Sequence, residues 1–170
     1  AKMLKAADRG VRVRLLLDDI FTPQLDRELT VLNSHPNIQV RLFNPIGNRS
    51  LKYVNYLLDF RRANRRMHNK SFTVDGAMSI VGGRNIAEEY FQLEESGEFI
   101  DFDMLVAGPI VQDVSASFDD YWNHALAVPF AVLYRESDPE KTAQNHTIRE
   151  QLMADKGNEV YSRSISTELM

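Results

Sequence analysis

The chain has 170 residues, 44% of them hydrophobic and 26% charged, enough for one domain with a real core and short for two. Its net charge of -4 argues against a general nucleic-acid binder, and the absence of cysteine excludes disulfides and thiolate zinc sites. No signal peptide is visible, and the longest apolar run, Ala125 to Tyr134, is broken by Pro129 and falls far short of the ~20 residues a spanning helix needs.

Residues 1–9 have helical composition and stop at Gly10, and Val11 to Leu17 reads as a strand. The chain opens as if already inside a helix and without an initiator methionine, so the expectation is a piece of a longer protein. Thr22-Pro23 opens a helix with Leu25, Leu29 and Leu32 at helical spacing, stopped near His35-Pro36, and Ile38 to Phe43 is the next strand. Strand, helix and strand so close together predict a βαβ unit with parallel strands.

Asn44-Pro45-Ile46-Gly47-Asn48 is turn chemistry, and Leu51 to Met67 is predicted helical. Further on, Ile86 to Phe91 reads as a short helix, Glu94 to Gly97 as an acidic loop and Phe99 to Ala107 as a strand. Ile110 to Ala125 reads as an amphipathic helix bearing Val114, Phe118, Tyr121 and Trp122. From Val128 onward no core-forming pattern is legible beyond a short helix near Ile148 to Ala154, and Ser137 to Lys141 has linker chemistry.

The centre of the chain is Arg65 to Asn85. Asp75-Gly76 lies between the strand-favouring runs Lys70 to Val74 and Ala77 to Val81, a strong signal for a two-residue hairpin turn. That turn would set Val74 opposite Ala77, Lys70 opposite Val81, His68 opposite Gly83 and Arg66 opposite Asn85. His68, Lys70 and Asn85 are then expected on one side, with Gly83 leaving room beside the imidazole. Lys70 and Asn85 can donate hydrogen bonds while His68 attacks or carries a proton, a set suited to an anionic oxygen centre such as a phosphate. Asp75, at an odd offset from His68, reads as a residue of turn and support.

Charge is unevenly spread. Residues 1–85 carry 15 Lys/Arg against 7 Asp/Glu, while residues 86–170 carry 5 against 17. Arg61, Arg62, Arg65, Arg66 and Lys70 crowd the approach to His68, as a locally positive entrance or as a solvated helix face. His35, His124 and His146 have no neighbour at metal-ligand spacing, and neither a His-Glu-x-x-His nor a Gly-x-Ser-x-Gly pattern occurs.

His68-x-Lys70-(x4)-Asp75, followed by Gly82-Gly83-Arg84-Asn85, resembles the HxKx4D signature of the phospholipase D superfamily and its downstream Gly-x-Asn element. The match extends to Arg9-Gly10-Val11, Val13-Arg14, Leu16 and Asp18, and to Asp103 with Gly108-Pro109; in this it is similar to bacterial cardiolipin synthases of the C type. The resemblance implies an α/β fold, a mixed sheet flanked by helices, forming one phospholipase D-like half-domain over residues 1–128, with residues 129–170 a linker or tail towards a second repeat.

It further implies phosphatidyl transfer between phospholipids through a phosphohistidine, in an active site shared by two motif copies, with no cofactor or metal. By that likeness His68, Lys70, Asp75, Asn85 and Asp103 form the catalytic set, Asp103 or in its stead Asp101 orienting His68, and Gly83 and Arg66 meet substrate. Gly83 stands where the family more commonly has Ser. The implied partners are phospholipids, a second HxKx4D repeat from the same chain or a twin subunit, and the membrane surface at the cytoplasmic face of the bacterial inner membrane, with Ala125 to Tyr134 either touching the bilayer or packing against the other half. Two other readings stand beside this one: a homodimeric nuclease-like phosphodiesterase, and an inert fragment that binds phosphate or lipid headgroups.

Overall fold

Alternation at the start of the chain becomes a parallel strand pair in the computed structural model, which describes residues 2–19, 22, 25–45, 66–83, 102–134 and 147–151. Helix α1 (Lys2–Asp8) ends at Gly10, whose φ of 94° a side chain would oppose, and the chain enters β1 (Val13–Asp18). Helix α2 (Asp26–Asn33) then returns it to β2 (Ile38–Phe43), which pairs with β1 in parallel, Val13 against Ile38 through Asp18 against Phe43. The expected βαβ unit is present.

The pleat sorts the residues of this pair. Val13, Leu15 and Leu17 of β1 and Ile38, Val40 and Leu42 of β2 turn to one side, where Leu4, Ala7, Leu29, Val31 and Leu32 of α1 and α2 close the core over them. Each such aliphatic side chain contributes about 1.5–3 kcal/mol when removed from water, and this one-sided layer is the main source of cohesion. Leu25, expected on the buried stripe of α2, lies one residue before the helix and is exposed, because the first turn begins at Asp26.

Met67 leads to the hairpin of β3 (Lys70–Val74) and β4 (Met78–Gly82), and β5 (Asp103–Ala107) joins β4 antiparallel. Helix α3 (Ile110–Trp122) packs on β3, β4 and β5, and also reaches the other face of β1 and β2. There Arg14 Nη1 donates to Asp119 Oδ1 at 2.6 Å and Arg41 Nη1 to the Trp122 carbonyl oxygen at 2.6 Å, with the Arg41 guanidinium 4.6 Å from the indole centroid. Phe43 meets Tyr121 and His124 with ring centroids 5.6 Å apart in each case.

The chain then adds β6 (Ala127–Pro129) antiparallel to β2 and the short α4 (Phe130–Leu133). Phe130 belongs to the buried core and Tyr134 packs against it, so packing continues beyond residue 128. The weak pattern in Val128 to Tyr134 concealed this because one buried aromatic and a three-residue strand leave no periodicity to read. The result is α/β: among the described residues, one mixed three-stranded sheet, order β1-β2-β6, and one antiparallel sheet, order β3-β4-β5, flanked by helices.

Candidate active site

The turn has the chemistry its sequence asks for. Asp75 and Gly76 both adopt left-handed backbone, with φ of 52° and 62°, and the Ala77 N–H donates to the Val74 carbonyl oxygen at 3.0 Å. The register differs from expectation by one residue. Val74 pairs with Met78, Ser71 with Val81 and Lys70 with Gly82, so Ala77 is an extra residue on the returning strand. A single closing bond does not oblige the next residue to enter the ladder, and one inserted residue changes the parity of every pair beyond it.

That correction changes which residues share a face. Lys70 stands opposite Gly82, and Gly82 stands opposite Asp103, forming a row across three strands. Gly82 is thus a residue whose missing side chain makes room in this row. A Cβ built on Gly82 would collide with Asp103 Oδ1, 2.6 Å from the Phe102 carbonyl oxygen and 2.8 Å from Asp103 Cα. Gly82 has no left-handed φ, so glycine is required here for space and not for backbone conformation. Across that gap the Asp103 carboxylate lies over the strand that carries Lys70 as its next neighbour. Gly83 follows β4 directly and its N–H donates to the Phe102 carbonyl oxygen at 3.3 Å.

His68 lies just before β3 and is exposed, accessible to a ligand from solvent. Lys70 Nζ folds back to donate to the His68 carbonyl oxygen at 2.8 Å, which holds the ammonium beside the imidazole-bearing residue. Asp75 is exposed in the turn, away from this end of the hairpin, in accord with a turn residue. Asn85 lies outside the described residues, as do most of the segment expected to be helical before Met67 and all of Ile86 to Phe91.

Arg66 is engaged by the protein itself. Its Nη1 donates to Asp18 Oδ1 at 3.2 Å and to the Asn44 carbonyl oxygen at 3.3 Å, while the Met67 N–H donates to Asp18 Oδ2 at 2.9 Å. Asp18 thus belongs to the surroundings of His68, a part that sequence reasoning did not give it. The available signal was its place as the last residue of a parallel strand, where side chains border the crevice at the carboxyl end of a sheet.

Beneath the hairpin a cleft of about 450 Å³ runs between β3–β4 and α3, lined among others by Leu16, Met67, Asn69, Ser71, Ser117 and Phe118. Lys70 and Gly82 line this cleft as well. Among the described residues no group of His, Asp or Glu side chains is arranged to hold a metal ion, and no helix is long and apolar enough to cross a membrane.

Residues 1–122 match the family described as cardiolipin synthase, PLD-like domain. The chain is 58% identical over 120 residues to cardiolipin synthase C of Escherichia coli K12, covering 71% of this chain and 25% of that protein. It is 41% identical over 134 residues to an uncharacterized protein of Helicobacter pylori J99, covering 78% and 27%, and 28% identical over 135 residues to the cardiolipin synthase of Oceanobacillus iheyensis, covering 79% and 26%. The chain spans about a quarter of the length of these curated relatives. With its α/β framework and the His68-x-Lys70 hairpin set beside Asp103, the chain belongs to the PLD-like domain family of cardiolipin synthases.

Proposed function

We propose that the chain is one half of a two-motif phosphatidyltransferase that joins phospholipids to make cardiolipin through a phosphohistidine. In this reading His68 attacks the phosphorus of a donor such as phosphatidylglycerol through Nε2. The P–N bond forms as the bond to the leaving alkoxide breaks, and the alkoxide takes a proton from a second acid. That acid is the histidine of a second HxKx4D repeat, because one imidazole cannot both bond to phosphorus and protonate the opposite side of an in-line displacement. The same histidine then deprotonates the glycerol hydroxyl of the acceptor lipid, which displaces His68 and restores it.

Lys70 and Asn85 donate to the nonbridging oxygens, donors fixed before the charge develops. Asp103 accepts a hydrogen bond from His68 Nδ1–H, so that the Nε2 lone pair meets phosphorus. Asp75 supports the turn, and Gly83 and Arg66 border the approach to the phosphate. The expected connection towards the second repeat, residues 129–170, follows this half, although Phe130, Tyr134 and Ile148 within it pack with the core of this half. The site works at the cytoplasmic face of the inner membrane, as a peripheral attachment.

The observation that carries this reading is the Lys70–Gly82–Asp103 row, with exposed His68 two residues ahead of it in sequence and the Lys70 ammonium bonded to the His68 carbonyl oxygen. Replacing His68 by Ala in the protein at its native length should abolish both cardiolipin formation and an acid-labile phosphohistidine. Persistence of the label would remove His68 from the nucleophile's role.

A further inference from the structure

Residues 66–69 precede the ladder that fixes the hairpin, which begins at Lys70. Their position is set from the other sheet. Asp18 closes β1, and its two carboxylate oxygens accept from two different groups, Oδ1 from Arg66 Nη1 at 3.2 Å and Oδ2 from the Met67 backbone N–H at 2.9 Å. The Arg66 nitrogen that meets Asp18 also donates to the Asn44 carbonyl oxygen, one residue past β2. Arg66 and Asp18 side chains retain only 18% and 13% of their exposure, so solvent screens this pair less than a surface ion pair.

The bond to Met67 matters most. A charge-assisted bond to a main-chain N–H fixes a peptide plane, whereas a bond between two side chains leaves the backbone free to turn. The fixed plane lies one residue before His68. On the other side, Lys70 Nζ holds the His68 carbonyl oxygen. The backbone of His68 is therefore bracketed, with the carboxylate of a β1 residue as the upstream bracket.

We propose that Asp18 is a positioning residue for His68: it places the peptide ahead of the histidine through the Met67 N–H and holds Arg66 against the ends of β1 and β2. Asp18 touches neither substrate nor reacting atoms. The proposal rests on the reading of His68 as the nucleophile.

The test compares Asp18→Ala, which removes both bonds, with Asp18→Asn, which keeps an oxygen for the Met67 N–H. Both are made in the protein at its native length and assayed on phosphatidylglycerol vesicles, with kcat, KM, phosphohistidine yield and thermal melting recorded. Misplacing a reacting group by about 1 Å costs on the order of 100-fold, and that loss is expected in kcat for Asp18→Ala. KM should change far less than kcat, because Asp18 itself meets no substrate and Arg66, which borders the approach, keeps its bond to the Asn44 carbonyl oxygen. Asp18→Asn should recover most of the loss, and the pH profile of kcat should keep its shape because Asp18 carries no proton in the reaction.

Should Asp18→Ala fail to fold, Asp18→Leu fills the same space without an acceptor and takes its place beside Asp18→Asn. Wild-type kcat in a folded Asp18→Ala or Asp18→Leu protein, or an Asn variant as damaged as the one without an acceptor, overturns the positioning role while an inactive His68→Ala leaves the nucleophile intact. Full turnover by His68→Ala overturns the nucleophile itself and the positioning role with it.

Discussion

Gly82→Ala tests the site's geometry through a single methyl group. The new Cβ would stand 2.6 Å from the Phe102 carbonyl oxygen and 2.8 Å from Asp103 Cα, and would collide with Asp103 Oδ1. The carboxylate can rotate away, but the two backbone atoms cannot. The terminal pair of the β4–β5 ladder, Gly82 with Asp103, must then open. Overpacking of this kind costs about 1–3 kcal/mol. Against it stands a gain of about 0.4–1 kcal/mol, because Ala restricts the unfolded chain where the native φ permits it. The expected balance is a loss of about 1–2 kcal/mol in urea unfolding with an unchanged m value, together with a fall in phosphatidyl transfer as Asp103 is turned from the row it shares with Lys70. Asp103→Ala in the same background should relieve only the part due to the carboxylate. A Gly82→Ala protein as stable and active as the parent would refute the close approach of β5 and the row of residues built on it.

The remaining expectations concern the scaffold. Phe130→Ala should cost about 3–5 kcal/mol in chemical denaturation, since the ring is fully buried among α2 and β2; a cost under about 1 kcal/mol would place α4 outside the core. Gly76→Ala should cost about 1–2 kcal/mol through its φ of 62° alone, because no atom lies within 4 Å of the added Cβ. Asp75→Asn, whose side chain tolerates the left-handed conformation, should leave the melting temperature nearly unchanged, and a loss as large as that of Gly76→Ala would show that the carboxylate does more than turn the chain.

Much of the fold is legible in the residues because it depends on local pattern. The period-two apolar residues of β1 and β2, the leucines of α2, the glycine stop after α1 and the Asp75-Gly76 turn each announce themselves within a few positions. β6 and α4 do not, since their place against β2 depends on one aromatic ring and a three-residue pairing made across the whole chain.

His68 and Lys70 stand out from residue type and spacing, since an imidazole beside an ammonium suits an anionic oxygen centre, whereas Asp103 is singled out only by the family resemblance. Which neighbours face them depends on the register, and register is a property of two strands together. The residue inserted at Ala77 set Gly82, in place of Val81, opposite Lys70 and brought Asp103 into line with them. Asp18 stands in the family resemblance, but its bond to Met67 came only with the tertiary structure, since a contact across 49 residues leaves no trace in local periodicity. Composition and spacing determined which groups the protein has for its chemistry; only the meeting of separate strands decided how those groups are held, because hydrogen-bond partners across a sheet are set by three-dimensional pairing and not by nearness along the chain.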